Sequence, residues 1–121
     1  MALSSAMEDY LEAVLMLRKQ NGCVRCVDVA EQLGVKKPSV SRAVKELSKS
    51  GHIAKDTDGT LSLTETGLQL AEQIYEKHRF FTEQLIAAGV DPKTAEQDAC
   101  GMEHAISTEA FRKLKKTFND G

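Results

Sequence analysis

Aromatic side chains are scarce in this sequence, 5% of residues with no Trp at all. A core therefore has to be built from Leu, Ile, Val, Ala and Met. Cysteine is also sparse: Cys23, Cys26 and Cys100 make an odd count, which argues against a disulfide framework. No apolar run reaches the length of a membrane span. The first residues lack the basic flank and apolar block of a signal peptide, so a cytoplasmic protein with reduced thiols and no membrane partner is expected. No internal repeat or low-complexity segment is present. At 41% hydrophobic and 28% charged residues the composition is that of a globular protein, and 121 residues suffice for one or two small domains.

Excess positive charge is missing as well. The formal net charge is −2, which by itself speaks against nucleic acid. The average conceals a local bias: residues 36–55 carry Lys36, Lys37, Arg42, Lys45, Lys49 and Lys55 against Glu46 alone. A concentrated basic segment in a mildly acidic chain can still be an electrostatic footprint. Cys23-Val-Arg-Cys26 has the spacing of a zinc knuckle or a redox pair. No second such pair and no βαβ context accompanies it, so two half-buried small side chains ahead of a helix, without a role, are expected.

The elements follow from periodicity and capping signals. Ser5 with Glu8 reads as a capping box opening a helix through Tyr10, Leu11, Val14, Leu15 and Leu17, which stops at Asn21-Gly22. A second helix fits Val27 to Leu33, closed by Gly34. Pro38 suits the first turn of a third, running to about residue 50, with Val40, Ala43, Val44 and Leu47 at i, i+3, i+4 and i+7. Residues 52–55 and 60–63 fit a hairpin around Asp58-Gly59. Thr64 caps a long helix carrying Leu68, Leu70, Ala71, Ile74, Tyr75, Phe81 and Leu85 and ending near Gly89. Asp91-Pro92 opens the next helix, and Ser107 caps the last, with Phe111, Leu114 and Phe118 on its apolar side.

Helix, helix–turn–helix and hairpin in that order make a winged helix-turn-helix domain, with Gly34-Val35-Lys36-Lys37 as the short turn. The third helix would enter the major groove of double-stranded DNA by its N-terminal residues. Pro38, Ser39 and Arg42 are then placed for base edges, and Lys37, Lys45 and Lys55 for phosphates. Lys36 and Ser41 complete the candidate interface. The basic segment and the motif coincide, which turns a net-charge objection into support.

Further along, Cys100-Gly101-Met102-Glu103-His104 places a thiol, a carboxylate and an imidazole at i, i+3 and i+4, one face of a single helical turn. Asp9 and Glu12 repeat the i, i+3 spacing in the first helix, and His78 lies in the long one. Each has a plain alternative when taken singly: solvated carboxylates at a helix start, a surface histidine, a small core thiol. Together the six offer mixed O, N and S donors, which suit a first-row transition metal rather than Mg or Ca. Gathering three carboxylates around one point also calls for a cation.

Met7-Glu8-Asp9-Tyr10-Leu11-Glu12, Val29-Ala30-Glu31-Gln32-Leu33, Lys37-Pro38-Ser39-Val40-Ser41, Leu63-Thr64 and Asp98-Ala99-Cys100-Gly101-Met102-Glu103-His104 resemble the diphtheria toxin repressor family of iron- and manganese-dependent repressors. The resemblance covers nearly the whole chain in collinear order. It implies a mainly α fold: a winged helix-turn-helix domain, residues 1–64, followed by an all-helical dimerisation and metal-binding domain, residues 65–121. It also implies a homodimer that binds a palindromic operator when loaded with Fe(II) or Mn(II), one or two ions per subunit, and represses metal-uptake genes. By position, Asp9, Glu12, His78, Cys100, Glu103 and His104 match the family's metal ligands. Asp9 and Glu12 look like the manganese-type branch, Cys100 like the iron-type branch. Thr82 and Glu96 fall where ligands of the iron-type ancillary site would stand, so that site is not expected. With the sequence ending soon after the last helix, the short two-domain form is expected.

Two other functions are weighed against this one. A small metallohydrolase, with Glu12 as base, would leave the helix-turn-helix without a purpose, so enzyme activity is not expected. A winged-helix DNA-binding protein indifferent to metal would leave the Cys100–His104 face without one.

Overall fold

The computed structural model describes residues 3–120. Helix α1 (Ser5–Asn21) starts one residue earlier than its capping signal suggests. Ser4, not Ser5, is the N-cap: its Oγ accepts the Met7 N–H at 3.2 Å and its carbonyl accepts Glu8 N–H at 3.0 Å. Glu8 therefore falls one position past the N3 place that a reciprocal box uses. Gly22, at φ 78°, closes the helix by donating its N–H to the Arg18 carbonyl. Helix α2 (Cys26–Leu33) also begins one residue early, because the Asp28 carboxylate accepts the Arg25 N–H at 2.9 Å and makes Arg25 the cap. Cys23 is exposed and Cys26 buried, so the pair is not the half-buried doublet expected from the sequence.

Helix α3 (Lys37–Lys49) buries Val40, Ala43, Val44 and Leu47, the stripe that the spacing predicts. The wing is two short antiparallel strands, β1 (Ile53–Lys55) and β2 (Leu61–Leu63), paired Ile53 to Leu63, Ala54 to Ser62 and Lys55 to Leu61. Its turn is held by Gly59 N–H to the Asp56 carbonyl and by Thr60 N–H to Asp58 Oδ1, each at 3.0 Å. The second of these bonds keeps the Asp58 carboxyl below the ordinary carboxylate range. Helix α1 packs against α2, α3 and β2. Leu11, Val14, Val24, Val29, Val40 and Leu47 are fully buried there, each contributing roughly 1.5–3 kcal/mol of apolar burial where a Val or Leu leaves water completely.

Helix α4 (Glu65–Ala87) is tied to the wing at its start. Thr64 Oγ1 accepts the Gly67 N–H at 3.1 Å and donates to the Gly51 carbonyl at 2.5 Å. Gly67 is obligatory by approach rather than by φ: a Cβ there would lie 1.9 Å from the His52 carbonyl oxygen.

The chain divides into two compact units, Met1–Glu72 and Gln73–Gly121, with α4 beginning in the first and continuing in the second. The second unit adds α5 (Pro92–Ala105) and α6 (Thr108–Asp120). Asp91 caps α5 by accepting the Thr94 N–H, and Ser107 caps α6 by accepting the Ala110 N–H, each at 3.1 Å. The core of this unit is Phe80, Phe81, Ala99 and Phe111, with Ile106 against it. Phe80 stands edge-on to Phe81, Phe111 and Phe118 at ring-centroid distances of 5.4, 5.5 and 5.7 Å. The apolar pattern of the long helix picks out Phe81 but not Phe80, although Phe80 is the ring at the centre. Leu114 and Phe118 are exposed, so the apolar side of α6 is only partly covered. Among the described residues no helix is long and apolar enough to cross a membrane.

Candidate metal centre and DNA interface

Two helices of the second unit converge on one buried carboxylate. Because α5 is regular through residues 100–104, Cys100, Glu103 and His104 share a face, and each places a donor atom within 4.8 Å of the others. His78 reaches the same point from α4: its Nδ1 is 2.9 Å from Glu103 Oε2. The Glu103 side chain is 0% exposed, with His78 and His104 at 15% and 10%. Its second oxygen, Oε1, makes no hydrogen bond and lies 3.5 Å from His104 Nε2.

A fully buried carboxylate oxygen without a hydrogen bond is costly unless positive charge is supplied. Two imidazoles, a thiol and this carboxylate are the donor types of a transition-metal site. The residues therefore fit a divalent cation on the chemistry of the donor set and on the orphaned Oε1. Glu96 also approaches, with its Oε1 4.0 Å from His78 Nε2. The Thr82 hydroxyl is engaged elsewhere, donating to the His78 carbonyl at 2.7 Å.

The structure thus gathers His78, Cys100, Glu103 and His104 in the second unit. Asp9 and Glu12 stand on α1 in the first, three residues apart on a helix and therefore on one side of it. Glu12 is only 8% exposed, unusual for a carboxylate with ordinary surface duties.

The basic candidates all face outward. Lys36, Lys37, Pro38, Ser39, Ser41, Arg42, Lys45 and Lys55 are exposed, while Val40, Ala43 and Val44 between them turn inward. Helical periodicity accounts for this division: one face of α3 packs on the core and the other presents cations and hydroxyls. Arg25 was not among the residues that the sequence singled out. Its Nη1 donates to the Asp58 carbonyl in the wing at 2.8 Å. The only sequence signal for it is a cation just ahead of α2, where nothing predicts a contact some thirty residues away.

Family models match the two parts of the chain in turn. Residues 2–61 match the iron dependent repressor N-terminal DNA-binding domain, and residues 64–120 match the iron dependent repressor metal-binding and dimerisation domain. The chain belongs to the iron-dependent repressor family. An iron-dependent repressor carries a DNA-binding domain and a domain for metal binding and dimerisation, and both are present here. Among its relatives, an uncharacterized HTH-type transcriptional regulator of Methanocaldococcus jannaschii is 33% identical over 93% of this chain and 92% of its own length. The transcriptional regulator MntR of Escherichia coli O157:H7 is 38% identical over 87% of this chain and 70% of its own. Among solved structures, the manganese regulator SloR aligns at a TM-score of 0.82 with 29% identity, covering 93% of this chain and 53% of SloR. The IdeR structure from T. acidophilum aligns at 0.79 with 26% identity, covering 98% and 55%. The chain spans just over half the length of these two solved chains.

Proposed function

We propose that this protein is a cytoplasmic, metal-activated transcriptional repressor that acts as a homodimer on a palindromic operator and controls metal-uptake genes. The observation that carries the reading is Glu103, fully buried with an oxygen that lacks a hydrogen bond, beside His78, Cys100 and His104. In this reading His78, Cys100, Glu103 and His104 hold Fe(II) or Mn(II), one or two ions per subunit, and Asp9 and Glu12 complete the ligand set. The i, i+3 spacing of those carboxylates and the burial of Glu12 support their inclusion. A bound cation neutralises the gathered carboxylates and so favours a DNA-competent state over an incompetent one, which is what linkage requires of an effector.

The DNA side of the proposal rests on the outward face of α3. Pro38, Ser39 and Arg42 meet base edges near the start of the helix, and Lys36, Lys37, Ser41, Lys45 and Lys55 meet the backbone. Residues 1–64 form the reading head and residues 65–121 the sensing and pairing part. The protein acts by binding, not by turnover.

The ligand set is tested by metal content after anaerobic purification, which protects the Cys100 thiol from oxidation. One or two equivalents of a first-row metal are expected, and the double variant Glu103→Ala, His104→Ala should lose them. Retention of full metal content by the double variant would remove this site.

A further inference from the structure

We propose that the cleft between the N-terminal turns of α2 and α3 and the wing is a seat for the phosphate backbone of double-stranded DNA, with Arg25 as its unassigned member. The inference rests on the DNA-binding reading above and adds a residue that the helix-turn-helix pattern does not supply. The cleft has a volume of about 270 Å³ and is lined by Arg25, Lys37, Ser41 and Lys55, together with the first turn of α2 and Gly59. Three of these side chains are cations, one is a hydroxyl, and no carboxylate is among the lining residues. Such a lining favours an anionic oxygen such as that of a phosphate and disfavours a cationic or apolar ligand.

Arg25 is placed there by the fold. Three successive residues ahead of α2 run beside the wing. Cys23 Sγ is 3.8 Å from Thr60 Oγ1, the Val24 carbonyl accepts Leu61 N–H at 2.7 Å, and Arg25 Nη1 donates to the Asp58 carbonyl at 2.8 Å. The wing is therefore stitched to the start of α2 rather than hanging from its two strands. A guanidinium has five N–H donors, and the wing carbonyl takes one of them. The remaining donors can meet a phosphate at the mouth shared by Lys37 and Ser41, one turn apart on α3, and Lys55 on β1. The N–H groups of Cys26 and Val27, in the first turn of α2, have no intrahelical acceptor and carry the positive end of the helix dipole.

Arg25 would then position rather than read. It fixes register between wing and helix while its charge neutralises the backbone, and it says nothing about base identity. The test uses the full chain loaded with Mn(II) and a duplex selected by the wild-type protein from a randomised pool. Binding is measured over a range of salt concentrations. Arg25→Gln should weaken binding on the order of tenfold on every duplex tried. It should also lower the slope of log affinity against log salt by about 0.9, the share of one neutralised phosphate. Lys55→Gln, on β1, should lower the slope likewise and serves if the Arg25 variant folds poorly. Arg42→Gln should instead change the ranking among duplexes. An Arg25 variant that binds more weakly with an unchanged slope would make the residue a wing tether only and overturn the phosphate seat. If the wild-type protein with Mn(II) selects no duplex at all, the broader DNA-binding reading falls, and the seat with it.

Discussion

The two units solve the same burial problem with different materials. The first builds an aliphatic core from Leu11, Val14, Val24, Val29, Val40 and Leu47 and turns its cations outward along α3. The second has a small core centred on Phe80, Phe81 and Phe111, and leaves Ile86, Met102, Leu114 and Phe118 exposed at 36% or more. Among the described residues each unit buries one carboxylate, Glu12 in the first and Glu103 in the second. The contrast teaches where each unit is self-sufficient. The first exposes two large apolar side chains among its described residues, Val27 and Val35, and offers charge to a polyanion. The second leaves Ile86, Met102, Leu114 and Phe118 uncovered and sets Glu103 among His78, Cys100 and His104, and so calls for two things from outside, a second copy and a cation. That agrees with a domain whose family description is metal binding and dimerisation.

Substitutions can break this contrast one unit at a time. The largest effect is expected from Phe111→Ala, which removes a ring packed on both Phe80 and Phe81. A loss of about 4 kcal/mol is expected, confined to the second unit. Amide hydrogen exchange checks this: α5 and α6 should lose protection while α1 to α3 keep theirs. Gly67→Ala is the mirror experiment. Its methyl would collide with the His52 carbonyl, so about 3 kcal/mol should be lost from the first unit, with the exchange pattern reversed. If either variant melted both units together, they would not be separate cooperative bodies.

The remaining predictions sharpen the second unit. Cys100→Glu replaces a soft donor by a hard one at the proposed metal centre. The ratio of Fe(II) to Mn(II) affinity should move toward manganese by on the order of tenfold, measured by competition titration under anaerobic conditions. An unchanged ratio would mean that Cys100 is not a ligand. The smallest effect belongs to Asp91→Ala at the start of α5. The Thr94 N–H holds the Asp91 carboxyl below its ordinary range. A lowered folded-state pKa stabilises above the unfolded value, ~3.9, and the contribution disappears as pH falls through the folded one. Wild type and variant should therefore differ slightly in thermal stability at neutral pH and converge in acid.

Much of this architecture was legible in local signals. Gly22 and Gly34 end their helices, Asp91 and Ser107 cap theirs, and the Val40–Leu47 stripe is the buried face of α3. Such features are set within a few residues and need no tertiary information. What the pattern missed depends on distant partners or on competition between neighbours. Ser4 won the cap over Ser5 because its oxygen reaches the third helical N–H, while both residues are equally good caps by type. Phe80 was hidden because its burial comes from the rings of Phe81, Phe111 and Phe118 around it and not from the period of α4. Gly67, Ala71, Ile74 and Phe81 follow one helical stripe at i, i+4, i+7 and i+14, and Phe80 is buried beside that stripe rather than on it. Arg25 was invisible because its partner is a backbone carbonyl on the wing, which no side-chain pattern encodes. The gathering of His78 with Cys100, Glu103 and His104 was legible only in part. Helical spacing joins the last three, but His78 required the packing of α4 on α5.

The dependence of DNA binding on metal is the property that most directly separates a metal-activated repressor from a DNA-binding protein indifferent to metal. Affinity for a selected duplex should be measured at one fixed salt concentration, with chelator and then with Fe(II) or Mn(II). Metal should raise it by about a factor of 5–150, the usual range of coupling between two sites. The Glu103→Ala, His104→Ala variant should show no such rise. Equal affinity with and without metal in the wild-type protein would contradict a metal-activated repressor and leave a DNA-binding protein whose buried carboxylates serve some other end.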